Sequence, residues 1–324
     1  LSDRSVGRVH KFKLSRCAGM ERDMQFAWTR NNPSQERGVR TLGDPACRWL
    51  VLCLWLLSGP GLADGIEPAE ASSAAETDFT LPALDQPLQD ALQKLVEQQG
   101  LMRYVRDGRL ALGLLDISDP DRPRFAALDP DRMMYAASLP KIAILLGAFV
   151  QIEAGNLMHD EALQADMVRM IRFSDNAAAT RVLERVGRDA LISILTSSRF
   201  RFYDADTGGG LWVGKGYAKD RAYRRDPLRN LSHGATVRQV IRFFDLLARE
   251  QLLGQPYDGQ MKEILSAPAI THKFVAGLKS RPGARLYRKS GTWRDFHSDA
   301  ALVETDEHLI VIAGLGRHPK AGAW

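Results

Sequence analysis

Cysteine is scarce in this chain: Cys17, Cys47 and Cys53 are the only three in 324 residues, and all lie in the first 63. Beyond them neither a disulfide scaffold nor a cysteine-based metal site can be built, and roughly 260 further residues are enough to bury a core without one. Long apolar runs are lacking as well. The stretch Trp49–Leu57 (W-L-V-L-C-L-W-L-L) has nine residues, well short of the roughly 20 that cross a bilayer as a helix. A net charge of one sign is also missing from most of the chain. The formal charge is +5, but residues 1–63 hold 10 Lys/Arg against 5 Asp/Glu, which leaves 34 of each in residues 64–324. The basic excess belongs to the leader, so a nucleic-acid partner loses its main electrostatic support.

That leader reads as a secretory signal. Arg40 and Arg48 precede the apolar run, Ser58, Gly59 and Pro60 follow it, and Gly61-Leu62-Ala63 offers a small-x-small cleavage site. Leu52 before Cys53 is too large for a lipoprotein site. The chain starts at Leu1, with Met20 and Met24 downstream, so the first 19 or so residues are excluded from the fold. The expected organisation is residues 1–63 as upstream sequence and signal peptide, 64–83 as a flexible lead-in rich in Ala, Glu and Ser, and 84–324 as one folded domain.

Within that domain, Leu84, Leu88, Leu92, Leu95 and Val96 recur at helical spacing until Gly100. Leu110–Ile117 and Arg124–Leu128 read as strands around the turn Ser118-Asp119-Pro120-Asp121. Ile142–Gln151 carries no charge and predicts a helix buried on most sides. Leu163–Phe173 is helical and ends at Ser174-Asp175-Asn176, where another helix begins at once. Residues 192–229 are irregular. Thr236–Glu250 and Met261–Leu265 predict helices, and Ala284–Tyr287, Ala300–Glu304 and His308–Leu315 predict strands. Strands at both ends with helices between imply an α+β architecture: a mainly antiparallel sheet built from the N- and C-terminal segments, flanked by helices, beside an all-helical region.

Three short motifs carry chemistry. In Ser138-Leu139-Pro140-Lys141 a helical turn would bring the amine to the hydroxyl, and a lysine desolvated among apolar residues can lose enough basicity to take the serine proton. Ser174-Asp175-Asn176 places three hydrogen-bonding side chains between apolar helices, where they need partners. Lys289-Ser290-Gly291-Thr292 leads into the closing strands. Gly209–Lys215 only approximates a phosphate loop, because Gly216 stands where a magnesium-binding hydroxyl is required. Arg221, Arg224, Arg225 and Arg229 read as a solvated loop face. Asp204, Asp206, Asp220, His233 and His297 are weaker candidates for chemistry.

The order S-x-x-K, S-D-N, K-S-G resembles the penicillin-recognising serine hydrolases, and most of all the class A β-lactamases. The resemblance covers about Leu84 to Leu315. It implies an acyl-enzyme mechanism without metal or cofactor, acting on a β-lactam or a D-Ala-D-Ala peptide. It also implies a monomer located in the periplasm or secreted, with no stable membrane anchor after signal cleavage. Carried over residue by residue, Ser138 is the nucleophile and Lys141 assists its deprotonation, while Ser174 relays a proton to the leaving nitrogen. Asn176 binds the substrate's side-chain amide, and Asp175 is structural. Lys289, Ser290 and Thr292 attract the substrate carboxylate, Gly291 makes room along the strand, and the Thr292 and Ser138 N–H groups form the oxyanion hole.

Three departures stand out. Ser138 and Ser174 are only 36 positions apart, so one wall of the cleft is expected to be reduced. The E-x-x-L-N segment that carries the water-activating glutamate is missing. Its nearest echo is Asp226-Pro227-Leu228-Arg229-Asn230, which makes Asp226 the candidate deacylating base. Finally, only Gly316–Trp324 follow the last strand, where the family has a C-terminal helix, so the sheet face near Val311 is expected to be exposed. The alternatives to a β-lactamase are a DD-peptidase-like enzyme and a penicilloyl-binding module that acylates and stalls.

Overall fold

The computed structural model describes residues 80–217, 220–279, 281 and 283–319. The expected signal peptide and most of the lead-in lie outside the described residues. In chain order the elements are α1 (Gln86–Gln98), α2 (Met102–Arg106), β1 (Leu110–Asp116), β2 (Arg124–Leu128), β3 (Met134–Tyr135), α3 (Lys141–Glu153), α4 (Glu161–Arg172), α5 (Asn176–Val186) and α6 (Arg188–Thr196). Then come β4 (Tyr203–Asp204), β5 (Gly209–Gly210), β6 (Trp212–Val213), β7 (His233–Ala235), α7 (Val237–Ala248), α8 (Tyr257–Leu265), α9 (Phe274–Gly277), β8 (Arg285–Trp293), β9 (Phe296–Glu304) and β10 (Leu309–Arg317).

The main sheet has the order β2-β1-β10-β9-β8, antiparallel throughout, so the first strand of the domain pairs with its last. This is the α+β arrangement expected from the sequence. Alternation along the strands sends two sets of side chains to two cores. Val311, Ala313 and Leu315 face α7 and the helical region together with Leu115, Ala300 and Leu302. Ile310 and Ile312 face the other way, with Leu114, Ala301 and Val303, and meet Leu88, Leu92, Leu95 and Val96 of α1.

The expectation of an exposed sheet near Val311 is therefore corrected: Val311 is fully buried. Its face is the one covered by α7, while α1, aided by Phe274 of α9, closes the opposite face. Gly113 permits the α7 contact, because a Cβ there would lie 2.5 Å from Ile241 Cδ1 and 2.6 Å from Val237 Cγ1. α1 is held by its N-cap, Asp85, which accepts from the Leu88 N–H at 2.9 Å. Each of its four inward side chains contributes up to about 1.5–3 kcal/mol by burial.

The helical region is organised on α3, in which Lys141 and every residue from Ile142 to Phe149 are buried. α4, α5, α6 and α8 pack around it. The irregular stretch expected at residues 192–229 holds the end of α6 and then short strands. Of these, β6 pairs with β7, and β7 pairs with β3 just before the Ser138 motif.

Candidate active site

Ser138 sits between β3 and α3, in a tight turn rather than in the helix. The turn is closed by Leu139 N–H donating to Ala136 O at 3.0 Å and Ile142 N–H to Leu139 O at 3.2 Å. Pro140 caps the helix, so α3 begins at Lys141. Ala137 has φ +50°, a left-handed conformation that costs a residue with a Cβ about 1 kcal/mol or more. Tyr217 supports it by donating its hydroxyl proton to Ala137 O at 3.2 Å.

Lys141 N–H donates to Ser138 O at 3.3 Å, which keeps the two residues one turn apart, but no described hydrogen bond joins the Ser138 hydroxyl to the Lys141 amine. Among the described residues, the Lys141 ammonium instead donates to Ser174 O at 2.6 Å and Asn176 Oδ1 at 2.8 Å, with Ser174 Oγ and Asp175 O both at 3.4 Å. Its Nζ also lies 4.6 Å from the centre of the Tyr217 ring. Burial pulls its pKa down to about 7, and the Asp175 charge only partly opposes that. Lys141 thus exchanges its proton near neutrality.

The Ser174-Asp175-Asn176 loop joins α4 to α5. Asp175 is the N-cap of α5, accepting from Ala178 N–H at 2.9 Å and pairing with Arg169 at 2.9 Å. Those bonds hold its carboxyl down at about 2. Ser174, at φ +57°, presents its hydroxyl to two cations: Lys289 donates to it at 2.9 Å, and Lys141 approaches at 3.4 Å. Lys289 also donates to Ser290 O at 2.7 Å and is almost completely buried. Burial first, and then the Lys141 charge, push its pKa well below that of a free lysine.

β8 is the last strand of the sheet and pairs only with β9, so it has one free edge. A Cβ on Gly291 would come within 2.4 Å of Ala136 O and 2.6 Å of Ser138 N. No side chain fits there, and the strand lies directly against the Ser138 turn. Ser298 on β9 ties the two together, donating to Ala136 O at 2.7 Å and approaching Gly291 O at 3.4 Å. The structure therefore brings Ser138, Lys141, Ser174, Asn176, Lys289, Ser290, Gly291 and Thr292 to one place.

Asp226 is used otherwise. Its buried carboxylate accepts from the backbone N–H groups of Leu228 (3.0 Å), Arg229 (2.9 Å) and Leu231, and from the Tyr203 hydroxyl (3.3 Å). It is the knot of its own loop, and no described hydrogen bond joins it to Ser138 or Lys141. As the deacylating base expected from the sequence it would work with Oδ1 already accepting three bonds and Oδ2 one. Asp204 likewise caps a turn and pairs with Arg201 at 3.0 Å, and Asp220 pairs with Arg188 at 2.8 Å. His233 lies beneath Tyr217, with ring centres 4.2 Å apart, and burial lowers its pKa to about 4. The four arginines near Asp226 are exposed, as expected.

The sequence reading missed Tyr217, Lys273 and Ser298. Lys273 Nζ donates to Gly291 O at 2.8 Å, Thr292 Oγ1 at 3.0 Å and Ser298 O at 3.0 Å. Ser298 sits in a strand pattern and Lys273 in an irregular segment, with no motif around either.

Together the sheet, the helical region and a serine with two depressed lysines define a serine hydrolase. Residues 163–321 match the family described as "Beta-lactamase enzyme family". That stretch is just under half of the chain, and over it the sequence is similar to this family. Among solved structures, the fold is similar to a β-lactamase from Sphaerobacter thermophilus, at 16% identity over 69% of this chain and 90% of that one, with a TM-score of 0.53. It is similar to PBP-A at 18% identity, 74% and 91% coverage and a TM-score of 0.54. A β-lactamase from Chitinophaga pinensis gives 12% identity, 70% and 92% coverage and a TM-score of 0.53. At such identities the likeness is one of fold. No curated protein matches the sequence.

Proposed function

We propose that this protein is an exported serine hydrolase that β-lactams acylate on Ser138. The observation that carries the reading is the Ser174 hydroxyl held between Lys289 and Lys141, beside a serine turn pressed against the open edge of β8. Lys141, whose pKa burial lowers to about 7, leaves Ser174 O and Asn176 Oδ1 in its neutral form, turns to the Ser138 hydroxyl and takes its proton as the oxygen attacks the lactam carbonyl. The oxyanion that develops meets the Ser138 and Thr292 N–H groups. As the C–N bond breaks, Ser174 passes its proton to the departing nitrogen and is reprotonated from the lysine side. Asn176, its Oδ1 engaged by Lys141, offers its amide N–H to the acyl side chain. Lys289, with Ser290 and Thr292, attracts the substrate carboxylate.

A second reading has an observation of its own. Asp226, the residue nearest in sequence to the missing glutamate, spends its carboxylate on its own loop. That favours slow deacylation, and a solved PBP-A variant of this fold carries penicillin G as an acyl-enzyme. The purified protein mixed with a chromogenic cephalosporin separates the readings. Sustained turnover supports a β-lactamase, whereas one stoichiometric burst with a lasting mass adduct on Ser138 supports a penicilloyl-binding module. D-Ala release from a peptide without reaction with the cephalosporin supports a DD-peptidase. Turnover that survives Ser138→Ala refutes the assignment of the nucleophile.

A further inference from the structure

Lys273 stands outside all three motifs, yet its ammonium joins β8 to β9 beside Thr292. Its three ammonium hydrogens are matched by three acceptors: Gly291 O, Thr292 Oγ1 and Ser298 O. It is held there by the chain on both sides. Arg288 and Asp299 form a buried pair at 2.7 Å, Arg288 also donates to His272 O at 3.0 Å, and Asp299 accepts from Phe274 N–H at 3.1 Å. The residues flanking Lys273 are thus pinned to β8 and β9. Lys273 itself adopts φ +56°, a conformation that a lysine takes at a cost. Placing a cation beside Arg288 and near Lys289 is also unfavourable, and burial with the Arg288 charge brings its pKa down to about 8 despite Asp299. Strain and desolvation at one residue, satisfied by β8 and by the facing residue of β9, call for a function.

The planarity of the peptide bond supplies one. In a trans peptide the carbonyl of residue 291 and the N–H of residue 292 point in opposite directions. Gly291 O is held by Lys273 on the side of β9, so the Thr292 N–H is directed off the free edge of β8, where the substrate carbonyl would lie. Rotating that peptide would break the Lys273 bond. Ser298 gives its carbonyl to Lys273 and its hydroxyl proton to Ala136 O, which couples the same clip to the turn that carries the Ser138 N–H.

We infer that Lys273 is a positioning residue that fixes the Gly291–Thr292 peptide and so aims one donor of the oxyanion hole. The inference rests on the acylation reading above. With all three hydrogens occupied, Lys273 acts through the strand and not by touching the reacting atoms. A single oxyanion donor is worth about 10²–10³ in rate, and a misaimed donor forfeits part of that.

The test compares wild type, Lys273→Met and Lys273→Arg on two acylating substrates: benzylpenicillin, which carries a carboxylate, and an uncharged thioester that lacks one. The acylation rate constant and the substrate dissociation constant are read separately, with the mass adduct on Ser138 as a check. The expected result for Lys273→Met is a loss of about 10- to 100-fold in the acylation rate constant for both substrates, with little change in the dissociation constant. Lys273→Arg, which keeps the charge and donors, should recover most of the loss. A loss confined to the binding of the carboxylate substrate would mean that Lys273 is a plain counter-charge and would overturn the inference. So would a change below threefold in a variant that melts like wild type. If wild type forms no adduct with either compound, the functional reading fails and this inference falls with it.

Discussion

Substituting Gly291 by alanine tests the central geometry with a single methyl group. The added Cβ would lie 2.6 Å from Ser138 N and 2.4 Å from Ala136 O, where ordinary contact begins at 3.4 Å. Both are backbone atoms of the strained turn at Ala137, so neither can rotate aside as a side chain would. The shortfalls of 0.8 and 1.0 Å (3.4 less 2.6 and 2.4) must be met by β8 withdrawing from the turn, which a free edge strand can do at modest cost in stability. Withdrawal separates the two oxyanion donors by a similar distance. A displacement of about 1 Å costs on the order of 10²-fold in rate, or about 2.7 kcal/mol of transition-state stabilisation. The assay is stopped-flow acylation by a chromogenic cephalosporin, with the melting temperature measured in parallel. Acylation of Gly291→Ala within threefold of wild type would show that the strand is not seated on the nucleophile's turn.

Other consequences can be checked independently. Acylation should speed up as pH rises through about 7, as Lys141 loses its proton; a flat profile between pH 5.5 and 8.5 would remove Lys141 as the base. The same depressed pKa has a stability consequence. The unfolded chain binds the proton more tightly, so the full cost is present below pH 7, and stability rises with pH from about 7 toward 10.5. That cost is up to about 5 kcal/mol. Lys141→Met should therefore abolish acylation yet raise stability by about 1–3 kcal/mol, the remainder being lost to the unpaired Ser174 and Asn176 oxygens; thermal melts decide. Asp226→Asn turns an amide N–H toward backbone donors and should lower stability by about 1–3 kcal/mol, while the lifetime of the acyl adduct stays within twofold. A long-lived adduct only in that variant would restore Asp226 as the deacylating base. Ser174→Ala removes the group between the two lysines and should slow acylation by about 10²–10⁴, measured as adduct formation by intact mass.

Periodicity made most of the fold legible. Near-continuous apolar runs in Leu110–Ile117 and His308–Leu315 mark strands buried on both faces, the 3.6-residue repeat of Leu88, Leu92 and Leu95 encodes which side of the helix is buried, and burial is what orders the chain. The three motifs were legible because their chemistry needs particular residue types at short spacing. The turn at Ser138 was less so. Pro140 was in plain view, but the helix start moved to Lys141 because β3 and Tyr217 hold the preceding residues in a bent conformation.

Sequence alone determined the main strands and helices and picked out Ser138, Lys141 and Lys289 as candidates, since these follow from local pattern and side-chain chemistry. Only the tertiary structure decided what Asp226, Ser298 and Lys273 do. A carboxylate, a hydroxyl and an amine take their roles from whichever partners the fold brings within 3 Å, and those partners lie on other elements. Lys273 bonds residues 18 and 25 positions away, and Ser298 meets Ala136 across 162. No local pattern encodes such a contact, because the energy that forms it comes from packing the sheet against the nucleophile's turn.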